Sequence, residues 1–291
     1  MGVMDAVKRS DKRYPINKII PFSSVDGPGN RTSIFLQGCN FNCRYCHNPE
    51  TRNICTNCGT CVPKCPKGAL SIEKGKVLFD PGRCAACDTC IRICKFGASP
   101  RIRNMTASEV MTEVRKQVPY IRGITVSGGE CSLHPDFLLQ LFTLAKEEKL
   151  GTLIDSNGSL DFVKHPDLLA VTDGVMLDVK AWTETDHKLV AGCDNSMVKK
   201  NLRDLASIGK LYEVRTVVVP GLFDVWETVR QTAQALVPYL KYGDIRYKII
   251  TYRPMGVRGE YSAAMVPPSG ELMQELEKLA RECGVKTVVT V

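Results

Sequence analysis

The chain has 291 residues, of which 44% are hydrophobic and 24% are charged, so it is long enough for a large buried core in one or two domains. This composition excludes a disordered chain, and no low-complexity segment or array-type repeat is present. The formal net charge is +8, but lysine and arginine are scattered instead of forming a basic tail with interleaved aromatic residues, so nucleic-acid binding is not expected. No stretch reaches the ~18 to 20 consecutive apolar residues of a membrane-spanning helix, so we also expect no membrane partner.

Fourteen cysteines are present, and the first 18 residues are polar and basic without the apolar core of a signal peptide. We therefore expect a cytoplasmic protein in which thiols stay reduced and clustered cysteines bind metal instead of forming disulfides. Metal-bound cysteines are thiolates, which changes the charge count. If eleven of them hold three [4Fe-4S] clusters, the net charge is about +3.

Strand-like and helix-like segments alternate along most of the chain. A buried strand is predicted at 33–36, and the segment 54–100 that follows it holds eight of the cysteines. The later predicted strands lie at 124–126, 152–155, 175–179, 213–219 and 246–251. The clearest predicted helices lie at 106–118, 135–150 and 270–283. Repeated βα units predict an α/β protein with a parallel sheet or barrel, and a small domain inserted after its first strand.

This alternation also predicts the domain boundaries. Residues 1–53 and 101–291 form one discontinuous α/β domain, and residues 54–100 form the insert. At the start of the predicted helix 106–118, Thr106 and Glu109 have the spacing of a capping box.

The inserted segment contains one cysteine spacing twice. Two runs, beginning at Cys55 and at Cys84, have the pattern C-x2-C-x2-C-x3-C, which is typical of bacterial ferredoxins with two [4Fe-4S] clusters. In such proteins the fourth cysteine of each run binds the other cluster. The predicted ligands of the first cluster are Cys55, Cys58, Cys61 and Cys94. The predicted ligands of the second cluster are Cys65, Cys84, Cys87 and Cys90. The alternative is a pair of structural zinc sites, because C-x2-C pairs also bind zinc.

Three further cysteines, Cys39, Cys43 and Cys46, lie on one loop directly after the first predicted strand. Three thiolates leave one iron of a [4Fe-4S] cluster without a protein ligand, which is the open position that chemistry on a substrate requires. The stretch from Cys43 to His47 also fits the C-x-x-C-H pattern of haem attachment, but haem would leave Cys39 unexplained. The spacing, with Tyr45 before the third cysteine, resembles the radical S-adenosylmethionine (SAM) superfamily.

A second motif, Ser127-Gly128-Gly129-Glu130, follows a predicted strand. Its glycines would let the backbone approach a ligand closely, and its carboxylate would accept hydrogen bonds from an α-ammonium group. By itself this motif is equally typical of a strand-to-helix turn. Together with the cysteine triplet it strengthens the resemblance to the radical SAM superfamily.

Further segments narrow the resemblance to the activating enzymes of glycyl radical enzymes. These segments are 24–31, 46–49, 155–158, 174–182 and 218–221. The ferredoxin-like insert resembles the branch of that family that carries two additional clusters. Within it, 178–182 and 256–260 are most similar to the YjjW-type activases.

The resemblance implies both a fold and an activity. The fold is a partial (β/α)6 barrel, similar to a TIM barrel, with the cofactor at the carboxyl ends of the strands. The cluster on the catalytic cysteines Cys39, Cys43 and Cys46 would cleave SAM reductively, and the 5′-deoxyadenosyl radical would take a hydrogen atom from a glycine Cα of a partner enzyme. The implied cofactors are three [4Fe-4S] clusters, SAM and a monovalent cation. The implied partners are a glycyl radical enzyme and an external electron donor such as flavodoxin or ferredoxin.

The resemblance also implies the contacts to SAM. The cofactor-binding residues would be Tyr45, Cys46, His47, Gly128, Gly129, Glu130, Asp155, Ser156, Asp178, Lys180, Arg215 and Arg253. Lys180 and Arg215 would pair with the SAM carboxylate, and Asp155, Ser156, Met176 and Asp178 match positions that ligate a monovalent cation or contact the cofactor. Asp178 and Lys180 are alternatively an ion pair at a strand end. Arg253 stands where family members often have histidine, and stacking on the nucleoside is an alternative role for it.

Two residues, Asp26 and Asn48, are expected to face the glycine loop of the partner because they lie beside the cysteine loop. His134, His165 and His187 are expected at the surface or at helix starts, and Cys131 is expected to be a free thiol. Two other functions remain open at this point. One is a radical SAM enzyme that acts on a small molecule, and the other is an electron-transfer iron-sulfur protein.

Overall fold

The structure is a computed structural model that describes residues 11–291. The first ten residues lie outside the described part, and so does most of the segment in which no signal peptide is expected. They also belong to the predicted domain segment 1–53, of which the structure describes the remainder.

Eleven strands are found in the described residues. They are β1 (Tyr14–Ser23), β2 (Arg31–Leu36), β3 (Leu70–Glu73), β4 (Lys76–Phe79), β5 (Arg103–Met105), β6 (Gly123–Gly128), β7 (Gly151–Ser156), β8 (Gly174–Asp178), β9 (Leu211–Val218), β10 (Arg246–Thr251) and β11 (Val288–Thr290). The α-helices in the same part of the chain are α1 (Thr89–Arg92), α2 (Ala107–Arg115), α3 (Pro135–Glu147), α4 (Pro166–Val171), α5 (Glu184–Ala191), α6 (Ser196–Ser207), α7 (Val225–Leu236), α8 (Gly259–Ser262) and α9 (Gly270–Glu282).

Nine strands form one open sheet in the order β11-β10-β9-β8-β7-β6-β2-β1-β5. From β2 to β11 all neighbouring strands are parallel, whereas β1 pairs antiparallel with both β2 and β5. The prediction of an α/β protein with a mostly parallel sheet is therefore confirmed. The capping box at the start of α2 is also present, because Thr106 and Glu109 each bond the other's backbone N–H.

Three strands of this sheet were not among those predicted: β1, β5 and β11. β5 and β11 have only three residues each, too few for a periodic pattern. β1 contains Pro15 and Pro21, a residue type that is rare inside strands because it lacks a backbone N–H.

The main core lies between the parallel sheet and its helices. β6 buries Ile124 and Val126 completely, and α3 buries Phe137, Leu141 and Phe142 against it. At about 25 cal/mol per Å² of buried apolar area, such side chains stabilise the fold by roughly 2 to 3 kcal/mol each. The core therefore fixes the strands whose carboxyl ends carry the polar side chains described below.

Residues 54–100 contain the separate two-stranded antiparallel sheet of β3 and β4. Two hydrogen bonds join the end of this segment to the residues just before it: Ser99 N–H donates to the Glu50 carbonyl at 3.0 Å, and the Asn53 amide donates to the Phe96 carbonyl at 2.6 Å. Between residues 11 and 291, no helix combines the length and the apolarity needed to cross a bilayer.

Candidate active site and cysteine-rich insert

A cavity of about 740 Å³ lies at the carboxyl ends of the parallel strands. Side chains alternate between the two faces of a strand, and the cavity-facing set includes Ser127, Asp155, Asp178 and Arg215 at the ends of β6 to β9. The other residues that the sequence grouped around SAM and that line this cavity are Tyr45, Cys46, His47, Gly128, Gly129, Glu130, Ser156 and Lys180. Cys39, Cys43, Asp26 and Asn48 also lie on its wall.

The cysteine loop follows β2 and is held against α5 by backbone hydrogen bonds. Asn42 N–H donates to the Ala191 carbonyl and Arg44 N–H donates to the Val190 carbonyl, both at 2.9 Å. Cys39 accepts a hydrogen bond from Phe41 N–H at 3.4 Å. These bonds fix the loop with its three cysteines on the cavity wall.

Burial raises the pKa of the Cys39 thiol to about 12 and that of the Cys43 thiol to about 11. Lys180 acts in the opposite direction on both groups but does not offset the loss of hydration. Thiolates here therefore need a bound positive charge. Three clustered cysteines with a backbone N–H donor to one sulfur fit a [4Fe-4S] cluster, whose iron atoms would supply that charge.

Gly128 and Gly129 pack against the strand that leads into the cysteine loop. A Cβ on Gly129 would lie 2.2 Å from the Gly38 carbonyl oxygen, and a Cβ on Gly128 would lie 2.2 Å from the backbone nitrogen of Leu36. The Glu130 N–H donates to that same Gly38 carbonyl at 2.7 Å. The glycines therefore allow two backbone segments to touch, in addition to the approach to a ligand that the sequence suggested.

The Glu130 carboxylate is buried and bound within the protein. It accepts hydrogen bonds from the Ser156 hydroxyl at 2.9 Å, from Ser132 N–H at 2.9 Å and from Asn157 N–H at 2.6 Å. Burial raises the Glu130 pKa, and these donors act in the opposite direction. Glu130 thus ties the end of β6 to the turn after β7.

A chain of buried charges crosses the carboxyl ends of β7 and β9. The Arg215 guanidinium lies 2.9 Å from Asp155 through Nη1 and 2.6 Å from Glu213 through Nε, and its Nη2 lies 2.9 Å from the Met176 sulfur. Burial raises the Asp155 pKa while Arg215 lowers it. Asp155 also accepts a hydrogen bond from the Ser127 hydroxyl at 3.0 Å.

Asp178 and Lys180 form an ion pair 2.6 Å long just after β8, which is the alternative role that the sequence allowed for them. Both side chains nevertheless line the cavity. Burial lowers the pKa of Lys180, but Asp178 and other nearby acidic groups raise it more, so its net shift is upward. The ammonium also lies 6.0 Å from the centre of the Tyr45 ring. Lys180 is therefore charged at the cavity wall.

Arg253 is the one residue of the predicted SAM set that does not line the cavity. The residue is exposed, and its carbonyl lies 2.9 Å from His47 Nε2. Gly256, in the same segment, approaches the His47 carbonyl so closely that a Cβ there would lie 2.4 Å away. The backbone after β10 thus packs on the end of the cysteine loop, while the Arg253 side chain points elsewhere.

Asp26 lies half-buried in the loop between β1 and β2. Its Oδ2 accepts hydrogen bonds from the Ser23 hydroxyl at 2.6 Å and the Ser33 hydroxyl at 2.7 Å, and its carbonyl accepts one from Thr125 at 2.6 Å. Buried Arg31 anchors the same loop through the Pro28 carbonyl at 3.4 Å. The carboxylate is therefore held in a fixed position at the edge of the cavity.

Sequence reasoning missed two residues of this site, Asn157 and Glu213. The Asn157 amide lies 3.8 Å from the Cys39 sulfur and 3.0 Å from Asn40 Oδ1. Glu213 stands two residues before Arg215 on β9, so both side chains lie on the same face. The i, i+2 spacing of opposite charges on a predicted strand was the signal in the sequence from which this ion pair could have been predicted.

The two cysteine runs of the insert share local backbone features, 29 residues apart. Positive φ angles recur at Asn57 and Ala86, and again at Gly59 and Asp88. In each run the first cysteine accepts a hydrogen bond at 3.4 Å from the N–H two residues later. Phe41 N–H makes the same hydrogen bond to the Cys39 sulfur. In three loops, therefore, the first cysteine accepts a hydrogen bond from the N–H two residues later.

Four cysteines of the insert line a second, smaller cavity: Cys65, Cys84, Cys87 and Cys90. These four are the set that the sequence assigned to one cluster. Within residues 11–291, no three Cys, His, Asp or Glu side chains converge on a single-ion site. Each thiolate of an iron-sulfur cube binds a different iron atom, so a cluster does not require such convergence.

The remaining histidines and Cys131 have structural positions. His134 and His165 are the residues before α3 and α4, as expected for helix starts. His187 is completely buried inside α5, so its prediction at the surface or at a helix start is wrong: its Nδ1 lies 2.8 Å from the Cys193 carbonyl, and its ring packs edge-on against Phe41. Cys131 is a buried free thiol, as expected.

Comparison with known proteins places this site in a family. Residues 33–236 match the radical SAM superfamily. The chain is 32% identical, over 95% of its length and 96% of the relative, to a Haemophilus influenzae protein provisionally named a glycyl-radical enzyme activating enzyme. It is 33% identical to the pyruvate formate-lyase-activating enzyme of Streptococcus mutans, over 83% of this chain and 78% of that protein.

The fold is also similar to that of a solved structure, Streptococcus suis SuiB bound to S-adenosylmethionine. The TM-score is 0.57 at 12% identity, and the match covers 88% of this chain and 48% of SuiB. With a cysteine loop and charged strand ends around one cavity, the chain belongs to the radical SAM superfamily and, within it, to the activating enzymes of glycyl radical enzymes.

Proposed function

We propose that this chain binds SAM in the central cavity and uses it to place a radical on a glycine of a partner glycyl radical enzyme. The observation that carries the proposal is the cavity itself, whose wall combines Cys39, Cys43 and Cys46 with charged side chains from β7, β8 and β9. A [4Fe-4S] cluster held by these three cysteines would supply the one electron that cleaves SAM into methionine and a 5′-deoxyadenosyl radical, and that radical would become 5′-deoxyadenosine by taking a hydrogen atom from the glycine Cα.

The residues of the cavity bind and orient SAM in this proposal. Lys180 and Arg215 are the cations that would pair with its carboxylate, and both are already charged and held by buried acids. Asp155, Ser156, Met176 and Asp178 are the proposed contacts of a monovalent cation or of SAM; Asp155, Ser156 and Asp178 line the cavity, whereas Met176 is buried behind it against Arg215. A cation bound there would share the Asp155 carboxylate with Arg215 and the Asp178 carboxylate with Lys180.

The main domain corresponds to a partial (β/α)6 barrel in this proposal. Its six βα units begin at β2, β6, β7, β8, β9 and β10, and the domain spans 1–53 and 101–291. Ile250, near the end of β10, lines the same cavity as the ends of β2 and β6 to β9, which supports this description. Confinement to the cytoplasm, where thiols stay reduced, fits fourteen free cysteines.

The insert 54–100 binds two further [4Fe-4S] clusters in this proposal, which makes three in all. The local backbone features shared by the two cysteine runs support this, as does the cavity lined by Cys65, Cys84, Cys87 and Cys90. The other four cysteines of the insert would hold the second cluster. An external electron donor such as flavodoxin or ferredoxin would reduce them. The segments 178–182 and 256–260 support assignment to the YjjW-type branch of the activases.

Asp26 and Asn48 face the glycine loop of the partner in this proposal, because both lie on the cavity wall beside the cysteine loop. Arg253 would reach the SAM nucleoside only if its exposed side chain turns towards the cavity. The backbone of Arg253 is the part that now contacts His47. His47 would in turn lie next to the nucleoside.

The test is an anaerobic reaction of the reconstituted protein with SAM, dithionite and a candidate glycyl radical enzyme, chosen from the neighbouring genes. We expect an organic radical on the partner by EPR and formation of 5′-deoxyadenosine. Cys43→Ala should abolish both, while the matched variant Cys283→Ala, at a half-buried cysteine outside every run, should retain both.

Two other outcomes would contradict the proposal in different ways. 5′-Deoxyadenosine without a radical on the partner would favour a radical SAM enzyme that acts on a small molecule. No 5′-deoxyadenosine from a protein with intact clusters would favour an electron-transfer protein.

A further inference from the structure

The central cavity and the smaller cavity of the insert share part of their walls. Phe79, Cys84 and Arg101 line both of them. Of the eight insert cysteines, all of which the structure describes, Cys84 is the one that reaches the central cavity. The cysteine set that contains Cys84 therefore adjoins the proposed SAM site, and the set that contains Cys55 does not.

Arg101 stands at this shared wall, at the point where the chain leaves the insert. Its side chain is only 22% exposed, and its Nη2 donates a hydrogen bond to Asp88 Oδ1 at 2.7 Å. Its own N–H donates to the Ser99 hydroxyl at 3.1 Å, which fixes the backbone there. The guanidinium is thus held beside the cysteines by bonds at both ends of the residue.

The charge of Arg101 acts on those cysteines. The Arg101 guanidinium lines the same small cavity as Cys84 and Cys90, and it is held there by its hydrogen bond to Asp88. A cation fixed at that wall favours negative charge on a cluster that these cysteines would hold. A [4Fe-4S] cluster gains one negative charge on reduction, so a fixed cation beside it stabilises the reduced form.

We propose that Arg101 raises the reduction potential of the insert cluster held by Cys65, Cys84, Cys87 and Cys90, and that Asp88 opposes this effect. This inference rests on the proposed function, since it requires clusters in the insert. In the redox step, a low-potential one-electron donor protein loses one electron and this cluster gains it, and no bond or proton is transferred.

If Arg101 acts through its charge, removing Arg101 and removing Asp88 should shift the reduction potential of the cluster in opposite directions. Loss of a purely structural contact would not produce opposite shifts. Arg101→Gln removes the cation and should lower the ratio of reduced to oxidised cluster about tenfold at a fixed potential, or about 59 mV for a one-electron couple. Asp88→Asn should raise that ratio. Asparagine is suited to position 88 because the residue has a φ of +57°, which asparagine tolerates.

The test is an EPR-monitored redox titration of the full chain carrying Cys43→Ala, which removes the cluster of the cysteine loop and leaves the two insert signals. One of these signals should shift down with Arg101→Gln, shift up with Asp88→Asn, and return towards its original position with Arg101→Lys. Lys278→Gln is the matched control for loss of one positive charge, because Lys278 is exposed on α9, which packs near the β11 edge of the sheet.

The outcomes separate the inference from the function on which it rests. The inference about Arg101 is wrong if two insert signals are present and neither moves with Arg101→Gln, or if Arg101→Gln and Asp88→Asn shift the potential in the same direction. Either result would still support the proposal that the insert binds two clusters. If the Cys43→Ala protein contains no [4Fe-4S] cluster, the cluster assignment of the insert fails, and the inference fails with it.

Discussion

Glu213 holds Arg215 in position on β9. Its Oε1 accepts a hydrogen bond from Arg215 Nε at 2.6 Å, while its Oε2 lies 3.4 Å from Arg246 Nε. The Glu213 side chain is 3% exposed, so it is a buried anion between two cations. Since Arg215 is one of the two cations proposed to pair with the SAM carboxylate, Glu213 fixes the direction from which Arg215 would approach that carboxylate.

Glu213→Gln should therefore weaken SAM binding more than it slows the reaction. Losing the charge frees the Arg215 side chain to rotate, and we expect KM for SAM to rise about tenfold with a smaller change in kcat, together with a loss of about 2 kcal/mol of stability. The measurement is the rate of 5′-deoxyadenosine formation against SAM concentration. Glu227→Gln, in the part-exposed pair with Arg230 on α7, is the control. A fall in kcat at unchanged KM would contradict the positioning role.

Gly129→Ala should strongly destabilise the protein. The new Cβ would lie 2.2 Å from the Gly38 carbonyl oxygen, and backbone on both sides leaves no flexible atom to move away. We expect a loss of about 3 kcal/mol, measured by thermal denaturation of the reconstituted protein. Gly270→Ala is the matched control because its Cβ would meet no atom within 4 Å, and helix propensity should leave that variant as stable or slightly more stable. Equal stability of the two variants would disprove the close approach.

Asp26→Asn should separate SAM cleavage from radical transfer. The carboxylate lies at the cavity edge, where it accepts hydrogen bonds from the Ser23 and Ser33 hydroxyls, while Thr125 bonds the backbone carbonyl of the same residue. We expect reductive cleavage of SAM to continue while the radical on the partner enzyme falls at least about fivefold, because a contact to the glycine loop is lost. Ser33→Ala loosens the carboxylate without removing it and should have a smaller effect. An unchanged radical yield in Asp26→Asn, read by EPR, would refute the partner-facing role.

His187 should make stability depend on pH. Burial lowers the pKa of His187 in the folded protein, Lys180 acts in the same direction, and the Cys193 carbonyl and Asp194 act against them. The pKa of His187 is therefore lower in the folded protein than its unfolded value of about 6.5, so the folded state favours neutral His187. The protein keeps its full stability above about pH 6.5 and loses stability as the pH falls below that value.

The measurement for His187 is urea denaturation between pH 8 and pH 5. The protein should lose stability towards pH 5, and His187→Gln should reduce that slope, whereas Lys188→Gln on the exposed side of α5 should not. Because His187 packs against Phe41, the loss should include the cysteine loop and be visible as earlier bleaching of its cluster. An identical slope in the protein and in His187→Gln would rule this effect out.

Local spacing along the chain was sufficient for the chemistry and the fold class. Cys39, Cys43 and Cys46 lie on one loop, and each cysteine run of the insert is equally local in the chain, so the spacing of these cysteines can be read directly from the sequence. The alternation of strands and helices likewise predicted a parallel sheet, because each element's period depends only on its own residues. The short strands β5 and β11 and the proline-containing β1 had no such pattern.

Tertiary structure alone decided how the distant parts meet. The pairing of Arg215 with both Asp155 and Glu213, the contact of Gly129 with Gly38, and the outward direction of Arg253 all depend on strand register and packing between segments far apart in the chain. The same holds for the shared wall at Arg101, which shows which half of the insert adjoins the central cavity. Such relationships arise from close packing in three dimensions, and no local period in the sequence records them.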